Sequence, residues 1–404
     1  MTDYDVLIVG GGPAGSTAAR RTATAGLRVL LLDKAVFPRS KPCAGAIRGR
    51  VRDLLDFEIG DTVHRKISGL SVTSPQGLRI DCVPEDRSKP GYTVMREEFD
   101  TLLLKKAEES GAEVRQGTAA LDIAETAQEV TVVTEAGETI TASFVVGADG
   151  INSTVARQLG FYSGWPGESA CVAIEMEVEV GAEKVRSICG EPGGYDADLI
   201  FLSFGAVPYG YTWCFPKRTA LSMGICCRQD KARSVRSVYD RWFSKFCEAH
   251  EIEPVILSES SARFPLRPSS TIVKGRALLV GDAAGFVDAF TGEGIPYAIE
   301  SGIAAAAALN RASGSRNPHI LHEYEALCKQ TILKDLAVSR SLADMFYKSA
   351  RNMDVLCRFF HEDQYARYLL AASIGGLLPM STVKRKMTLR LLRTRPRDVL
   401  SLTR

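Results

Sequence analysis

A glycine-rich turn near the N-terminus constrains the fold of this chain more than any other feature. The apolar run 6–9 ends in Gly10-x-Gly12-x-x-Gly15, and the composition of residues 16–25 predicts a helix. Gly10 permits a tight turn, Gly12 lets a pyrophosphate approach the backbone, and Gly15 lets the helix pack closely on the strand. A buried strand, a glycine turn and a helix N-terminus together predict a dinucleotide site.

A second apolar run, residues 28–32, ends in Asp33. A carboxylate at the end of the second strand can bind both hydroxyls of an adenosine ribose. This acid supports the dinucleotide prediction, but it does not distinguish FAD from NAD.

Two later strand ends favour FAD. Apolar runs lead into Gly-Ala-Asp-Gly at 147–150 and into Gly-Asp-Ala-Ala-Gly at 281–285, where a carboxylate could bind the ribityl hydroxyls of a flavin. Residues 291–295 then open an alanine-rich helix. Its N-terminal amides and partial positive charge suit the N1/C2=O edge of a reduced isoalloxazine.

The composition excludes several classes of protein. The 404 residues are 45% hydrophobic and 24% charged with a formal charge of +2, which is typical of a globular protein of two or three lobes and predicts no nucleic-acid partner. No apolar stretch reaches the ~18 residues that span a bilayer, and Asp3 and Asp5 at the start predict no secretory leader. Ten cysteines without C-x-x-C spacing suit the reducing cytoplasm and predict no metal centre.

Residues 37–47 contain two prolines, a glycine and Cys43 in a rigid stretch that we interpret as an active-site loop. Lys41 and the start of a following helix would bring positive potential to Cys43, which favours a thiolate or an available proton. The alternative is a small buried cysteine in a turn.

The rest of the chain adds an antiparallel layer and a helical end. Alternating segments within 67–83 predict a hairpin, and residues from 310 onward have helical patterns. Arg96, at the start of another predicted helix, could contact a phosphate or lock the cofactor loop, or it could be a surface arginine. The chain is therefore predicted to have an α/β fold with an α+β insertion.

The three glycine-containing motifs resemble those of FAD-dependent oxidoreductases of the para-hydroxybenzoate hydroxylase fold. Residues 41–47 resemble the Lys-Pro-Cys-Gly-Gly loop of geranylgeranyl reductases. The run Tyr211-x-Trp213-x-Phe215-Pro216 is similar to the Tyr-x-Trp-x-Phe-Pro motif that lines their substrate pocket.

On a strand, Tyr211, Trp213 and Phe215 point to one side and form either an aromatic wall for a long apolar chain or the core face of a sheet. The chain departs from the family pattern at Ala44, in place of glycine, and at Gly224-Ile225-Cys226, in place of Gly-x-Gly.

The resemblance implies a Rossmann-like FAD-binding domain at 1–60, 92–170 and 270–310, an antiparallel-sheet substrate-binding domain at 61–91 and 171–269, and a helical C-terminal region at 311–404. Cys43 is the expected catalytic residue, as a proton relay or by shaping the flavin face, with Tyr211 as an alternative proton source. Tyr211, Trp213 and Phe215 are the expected substrate contacts. The expected FAD contacts, from the motifs and the resemblance together, are Gly10, Gly12, Ala14, Gly15, Asp33, Ala44, Gly45, Arg96, Ala120, Asp149, Asp282, Gly292, Gly294 and Ile295.

The function implied is reduction of C=C bonds in a geranylgeranyl or other prenyl chain on a lipid, chlorophyll-type or quinone-type acceptor, by hydride transfer from reduced flavin. The loop of Cys43 and the aromatic residues would then converge on the flavin. NADPH or reduced ferredoxin is the expected electron donor, because no second nucleotide motif is visible. The alternatives are a flavin monooxygenase of an aromatic or polyketide-like substrate and a non-catalytic prenyl-binding or electron-carrier protein. A halogenase is disfavoured because its Trp-x-Trp-x-Ile-Pro signature does not occur.

The C-terminal residues 384–397 are basic and partly amphipathic. They suit either peripheral docking of a cytoplasmic protein on an anionic membrane or a solvated helix. The sequence leaves the oligomeric state open.

Overall fold

The computed structural model describes residues 2–86, 88, 90–191, 196–315, 317–374, 378 and 380–403. The chain forms two compact units. The first unit contains residues 1–41, 96–166 and 264–337, and the second unit contains residues 42–95, 167–263 and 338–404.

Seventeen strands are present in the described part of the chain. They are β1 (Tyr4–Val9), β2 (Val29–Asp33), β3 (Ala46–Ile47), β4 (Val63–Thr73), β5 (Arg79–Cys82), β6 (Gly91–Val94), β7 (Glu113–Gln116), β8 (Ala120–Glu125), β9 (Val130–Thr134), β10 (Thr139–Gly147), β11 (Ala170–Glu179), β12 (Asp198–Phe204), β13 (Gly210–Pro216), β14 (Ala220–Arg228), β15 (Val255–Pro265), β16 (Val273–Lys274) and β17 (Ala277–Leu279).

Thirteen α-helices accompany these strands within the same described residues. They are α1 (Pro13–Thr24), α2 (Arg50–Leu54), α3 (Arg96–Glu109), α4 (Thr154–Gln158), α5 (Ala182–Cys189), α6 (Val235–Ala249), α7 (Ile295–Ser315), α8 (His322–Gln330), α9 (Ile332–Phe346), α10 (Ala350–Glu362), α11 (Gln364–Ile374), α12 (Met380–Thr394) and α13 (Pro396–Thr403).

The first unit is built on an eight-stranded sheet in which β17, β10, β1, β2 and β7 are successive parallel neighbours. Val6, Leu7 and Ile8 in the middle of β1 are completely buried, as expected for a strand covered on both faces. β8 and β9 extend the sheet as an antiparallel meander that joins β10. Because β1, β2, β10 and β17 are parallel, their carboxyl ends meet at one edge of the sheet, where a ligand site is expected.

α1 follows β1 and packs against α7. The two helices approach closely at Gly302, where a Cβ atom would lie 2.6 Å from the Ala14 carbonyl oxygen. This contact places α7 beside the glycine turn that precedes α1.

The second unit is built on a nine-stranded sheet in the order β15-β11-β14-β13-β12-β4-β6-β3, with β5 paired to β4. β12 and β4 are parallel, whereas β11, β14, β13 and β12 form an antiparallel series. The predicted hairpin within 67–83 is the antiparallel pair of β4 and β5. On one face of this sheet, Met223, Ile225 and Cys214 form a core with α6, whose Tyr239 hydroxyl donates to the Met223 carbonyl oxygen at 3.0 Å.

The fold confirms the predicted α/β class, with an antiparallel sheet and a helical C-terminal region, α8 to α13. β7 and β8 are separate strands, with a turn between them. The chain turns at Gly117 because the neighbouring Thr118 amide donates to the Asp33 carbonyl oxygen at 2.8 Å.

Among the described residues, no helix combines the length and apolar character needed to cross a bilayer.

Candidate flavin site and substrate-facing sheet

The glycine turn between β1 and α1 is shaped by close backbone packing. Gly10 has φ = +107°, and a Cβ there would lie 2.4 Å from the Ala148 carbonyl oxygen. At Gly15 a Cβ would lie 1.8 Å from the Gly10 carbonyl oxygen, so only glycine fits. Gly12 is the N-cap of α1, and its side-chain position is open except for a guanidinium nitrogen of Arg39 at 3.8 Å. As a glycine, Gly12 has no side chain to cap α1, so the first amides of this helix are suited to an anion such as a pyrophosphate.

Asp33, at the end of β2, holds this turn together. Its Oδ2 accepts a hydrogen bond from the Gly11 amide at 2.7 Å, and its Oδ1 accepts from the Ala35 amide at 2.8 Å. Each carboxylate oxygen can accept a further bond, which leaves capacity for ribose hydroxyls. Ala120, another expected cofactor contact, lies buried in β8, two residues after the Thr118 amide that bonds to Asp33.

Arg96 forms an ion pair with a buried carboxylate. It donates to both oxygens of the fully buried Asp100 at 2.8 and 2.7 Å, and Arg39 shares Asp100 at 3.1 Å. Arg39 also lies over the Phe37 ring at 4.5 Å, and its Nη1 is buried without a hydrogen-bond partner. Arg39 Nη2 is the nitrogen beside Gly12, so this guanidinium group could contact a phosphate at the glycine turn.

Sequence reasoning selected Arg96 and missed Arg39, although Arg39 lies in the loop already identified as special. The signal that could have found Arg39 is a positive charge in a proline-restricted segment a few residues after Asp33.

Asp149 precedes α4 and accepts hydrogen bonds from its first amides. Its Oδ2 accepts hydrogen bonds from the amides of Thr154 and Val155 at 2.6 and 3.3 Å and so stabilises the start of α4. Burial raises the pKa of Asp149. Its immediate neighbour Ala148 contacts Gly10, so the motif at 147–150 supports the glycine turn.

Asp282 lies in a short 3-10 turn after β17 and is half-buried. Burial raises the pKa of Asp282, whereas the positive charges of Lys41 and Arg96 act in the opposite direction. A Cβ at Gly294 would lie 3.4 Å from Asp282 Oδ1, so this carboxylate faces the loop that leads into α7.

That loop is ordered by Asp288, which sequence reasoning missed. Asp288 is fully buried, and its Oδ1 accepts hydrogen bonds from the amides two and three residues ahead at 2.8 and 2.9 Å. The Gly292 amide donates to the Asp288 carbonyl oxygen at 2.8 Å. Gly294 and Ile295 then start α7, so the expected flavin contacts lie on a fixed turn at a helix N-terminus.

In the second unit, Trp213 of β13 lies over Gly224 of β14. The two residues are direct partners in the sheet, and a Cβ at Gly224 would lie 2.1 Å from Trp213 Cζ2. At 224–226 this chain has Gly-Ile-Cys in place of Gly-x-Gly, so it keeps the first glycine, which is the one that the Trp213 indole requires. The indole Nε1 is buried without a hydrogen-bond partner.

Strand register defines which residues share the face of Trp213. Directly opposed residues of antiparallel strands lie on the same face, and side chains alternate along each strand. The face therefore carries three aromatic side chains from β13 and the three residues paired with them on β14, followed by two acidic residues of β11. We call this the aromatic face, and its members are Tyr211, Trp213, Phe215, Ser222, Gly224, Cys226, Glu175 and Glu177.

The acidic residues of the aromatic face were missed from the sequence. Glu175 and Glu177 are 5% and 6% exposed. Ser222 donates to Glu175 Oε1 at 2.7 Å. Their alternation with apolar residues along β11 is the signal that could have found them, because it places both carboxylates on one face of a sheet.

The loop of Cys43 lies on the aromatic face. The Cys43 amide donates to Glu175 Oε2 at 2.5 Å, and Lys217 Nζ donates to the Ala44 carbonyl oxygen at 2.8 Å. The Gly45 amide points to Cys43 Sγ at 3.4 Å. Cys43 is half-buried, whereas the other nine cysteines, which are also free, are buried.

At its Tyr211 end the aromatic face continues into a cluster of rings. The ring centroid of Tyr211 lies 6.2 Å from that of Trp213 and 5.9 Å from that of Phe204. The Phe204 centroid lies 4.8 Å from that of Phe346 at the end of α9. Burial raises the pKa of Tyr211 well above its ordinary value, which makes its hydroxyl a weak proton donor. The hydroxyl is therefore a poorer candidate than the Cys43 thiol for proton transfer.

The predicted site residues divide between the two units. The first unit contains Gly10, Gly12, Ala14, Gly15, Asp33, Arg96, Ala120, Asp149, Asp282, Gly292, Gly294 and Ile295. The second unit contains Cys43, Ala44, Gly45, Tyr211, Trp213 and Phe215. Ala44 and Gly45, which were expected to contact FAD, thus belong to the unit that carries the aromatic face.

The first unit has features that suit a bound dinucleotide: a helix N-terminus whose cap residue has no side chain, a carboxylate at the end of β2 and a guanidinium group beside the glycine turn. These features define a dinucleotide-binding protein of the Rossmann-like class. A family model described as an FAD binding domain matches residues 3–337.

Two relatives share the family. A digeranylgeranylglycerophospholipid reductase 2 of Methanothermobacter thermautotrophicus is 30% identical over 348 residues, which cover 82% of this chain and 85% of the relative. A geranylgeranyl diphosphate reductase of Rhodobacter capsulatus is 31% identical over 359 residues, which cover 86% and 85%. The chain belongs to the geranylgeranyl reductase family of FAD-dependent oxidoreductases.

Solved structures show the same fold. A geranylgeranyl bacteriochlorophyll reductase-like protein from Thermoplasma acidophilum has a TM-score of 0.82 at 23% identity, with 99% of this chain and 98% of that chain covered. The FAD complex of a mutant of the halogenase PltM has a TM-score of 0.72 at 18% identity, with 99% and 94% covered. The fold is therefore shared by enzymes of different chemistry.

Proposed function

We propose that this protein saturates C=C bonds of a geranylgeranyl or related prenyl chain. The observation that carries the proposal is the aromatic face, on which Trp213 and Glu175 are both paired with Gly224 while the Glu175 carboxylate accepts a hydrogen bond from the Cys43 amide. The relatives named as reductases of geranylgeranyl groups support it.

FAD, once bound and reduced, supplies a hydride. The residues of this chain have the complementary tasks of holding an apolar chain, excluding water and delivering a proton to the second alkene carbon. Trp213 and Phe215 are 6% and 7% exposed and offer apolar contact with little access to water. We assign the proton to Cys43 Sγ, because this thiol is half-buried and carried by a loop whose backbone is fixed.

The acceptor belongs to one class, a prenylated lipid-like molecule, and the lipid, chlorophyll-type and quinone-type members share the same chain. We propose NADPH or reduced ferredoxin as the electron donor.

We also propose that α12 contacts an anionic membrane surface from the outside. Leu389 and Leu392 are 49% and 47% exposed and lie three residues apart. Arg385, Arg390 and Arg393 are exposed on the same helix, although Arg390 also pairs with an acidic side chain. Exposed leucines beside arginines are typical of helices that bind anionic lipid.

The test is turnover with and without oxygen. Enzyme supplied with a geranylgeranyl lipid and a chemical reductant should yield hydrogenated product under strict anaerobiosis. Product that forms only with oxygen and carries a hydroxyl group would instead identify a monooxygenase. Vesicle binding that does not depend on anionic lipid would contradict the membrane proposal.

A further inference from the structure

Two oppositely charged side chains are buried against the backbone of the Cys43 loop. Glu175 is 5% exposed and Lys217 is 1% exposed. Burying a charge is costly unless it is paired with well-placed hydrogen bonds, so such residues usually have a specific task. Neither charge is needed to bind a hydrocarbon chain.

Two partners of Glu175 are hydrogen-bond donors. Its Oε2 accepts from the Cys43 amide at 2.5 Å, and its Oε1 accepts from the Ser222 hydroxyl at 2.7 Å. Ser222 is itself fully buried, so its hydrogen bond helps to fix the orientation of the carboxylate that the loop contacts. Two donors favour the ionised carboxylate, which acts here as an acceptor rather than as an acid.

Lys217 makes the complementary contact. It follows β13 directly, and its Nζ donates to the carbonyl oxygens of Ala44 and Val94 at 2.8 and 2.7 Å. The first bond holds the loop, and the second holds the end of β6. Gly45 leaves room for both, because a Cβ there would lie 2.7 Å from Lys217 Nζ and 2.0 Å from the Val94 carbonyl oxygen.

We propose that Glu175 and Lys217 are positioning residues that fix the peptide groups on either side of Cys43. The carboxylate holds the amide of Cys43, and the ammonium group holds the carbonyl oxygen of the next residue, so the direction of the Cys43 side chain is set. The catalytic consequence rests on the proposed function, in which Cys43 delivers the proton. The backbone contacts do not depend on it.

The test measures amide hydrogen exchange at Cys43 in the full-length, FAD-loaded enzyme. Glu175→Ala removes the acceptor and should speed exchange about ten- to a hundredfold, the range expected for one hydrogen bond to a charged group. Glu175→Gln keeps an oxygen acceptor and should restore most of the protection. Lys217→Met should speed exchange at the Gly45 amide, which points to Cys43 Sγ. Glu177→Gln is the matched control, because it removes the same charge two residues away on the same face and should leave exchange at Cys43 unchanged.

Turnover provides a second measurement. In Glu175→Ala the kcat for prenyl reduction should fall about tenfold or more while KM and the flavin spectrum stay near those of the wild type, and Glu175→Gln should recover most of the loss. If Glu175 had only a general structural role, glutamine would not be expected to restore both the slow hydrogen exchange of the Cys43 amide and the kcat. If Glu175→Ala does not fold, Lys217→Met still decides the matter, because unchanged exchange at the Gly45 amide in that variant overturns the proposal.

Unchanged exchange at Cys43 in Glu175→Ala, or equal loss in alanine and glutamine variants, overturns the proposal. The two hypotheses fail in different ways. If exchange responds as expected but the wild type reduces no prenyl substrate, the positioning role stands and the proposed function is wrong. If the wild type reduces prenyl chains but exchange at Cys43 is insensitive to these variants, the proposed function stands and the positioning role is wrong.

Discussion

Gly224→Ala should displace Trp213 from the aromatic face. The added methyl group would lie 2.1 Å from Trp213 Cζ2 and 2.5 Å from both Trp213 Cε2 and the Ile174 carbonyl oxygen. Contacts below 3 Å cannot be accommodated without movement of the ring or of the neighbouring strand. Trp213 is only 6% exposed, so the ring has little free space beside it.

The cost follows from overpacking. Inserting a methyl group into a well-packed site typically costs about 1–3 kcal/mol. The upper part of that range applies here because one of the clashing atoms belongs to the backbone of β11. Urea unfolding of the FAD-loaded enzyme measures the change, and KM for a geranylgeranyl substrate should rise in parallel because the displaced indole no longer lines the face.

The double variant Gly224→Ala with Trp213→Leu tests the cause. Removing the ring relieves the clash with Trp213 and leaves the clash with the Ile174 carbonyl oxygen. The loss of stability in the double variant should therefore be smaller than the sum of the two single losses by about 1 kcal/mol. Gly314→Ala is the control, because an added Cβ at this exposed residue of α7 would meet no atom within 4 Å apart from its chain neighbours and its own helix backbone. Unfolding of Gly224→Ala at the same urea concentration as Gly314→Ala would show that the indole does not lie over Gly224.

Three further predictions concern the flavin site and the loop. Cys43→Ser should keep the yellow flavin absorbance yet lose most prenyl turnover, and unchanged product formation removes Cys43 from the mechanism. Arg39→Ala should weaken FAD binding about 10- to 100-fold in a titration of the apoprotein, because it removes the guanidinium group whose Nη2 lies beside Gly12 and could donate one charge-assisted bond to a phosphate; an unchanged Kd contradicts this role. Burial raises the pKa of Asp149 above its ordinary value of 3.8. The ionised side chain therefore lowers the free energy of unfolding at pH values above the raised pKa. This cost disappears below the ordinary value, where the group is protonated in both the folded and the unfolded state. Asp149→Asn keeps an acceptor for the Thr154 amide and should therefore be more stable than the wild type at pH 7 in urea melts, with the advantage gone by about pH 3.5; equal advantage at both pH values contradicts the reasoning.

The parts of the fold that could be predicted from sequence are those set by local rules. The strand that ends at Gly10 and the helix that follows are encoded by a run of apolar residues and three glycines, so they appear where the sequence places them. The aromatic alternation at Tyr211 and Trp213 likewise gives one face of β13, because side chains in a strand alternate by necessity.

The parts that could not be predicted depend on contacts between distant segments. Arg39 is meaningful only once its guanidinium group is seen beside Gly12 and Asp100. Glu175 stands 132 residues from Cys43 along the chain, and no periodicity or spacing reveals that bond. Contacts of this kind are visible only in the folded structure, because they join segments that are far apart in the sequence.

The central claim is that electrons stored on the bound flavin reduce a prenyl double bond. A single-turnover experiment tests it most directly. Enzyme with fully reduced FAD is mixed anaerobically with a geranylgeranyl lipid. Flavin reoxidation is followed by absorbance, and the mass of the product is determined by mass spectrometry. Flavin reoxidation that matches the gain of one pair of hydrogen atoms per flavin is the predicted result. A flavin that stays reduced until oxygen is admitted, with no saturated product, contradicts the account.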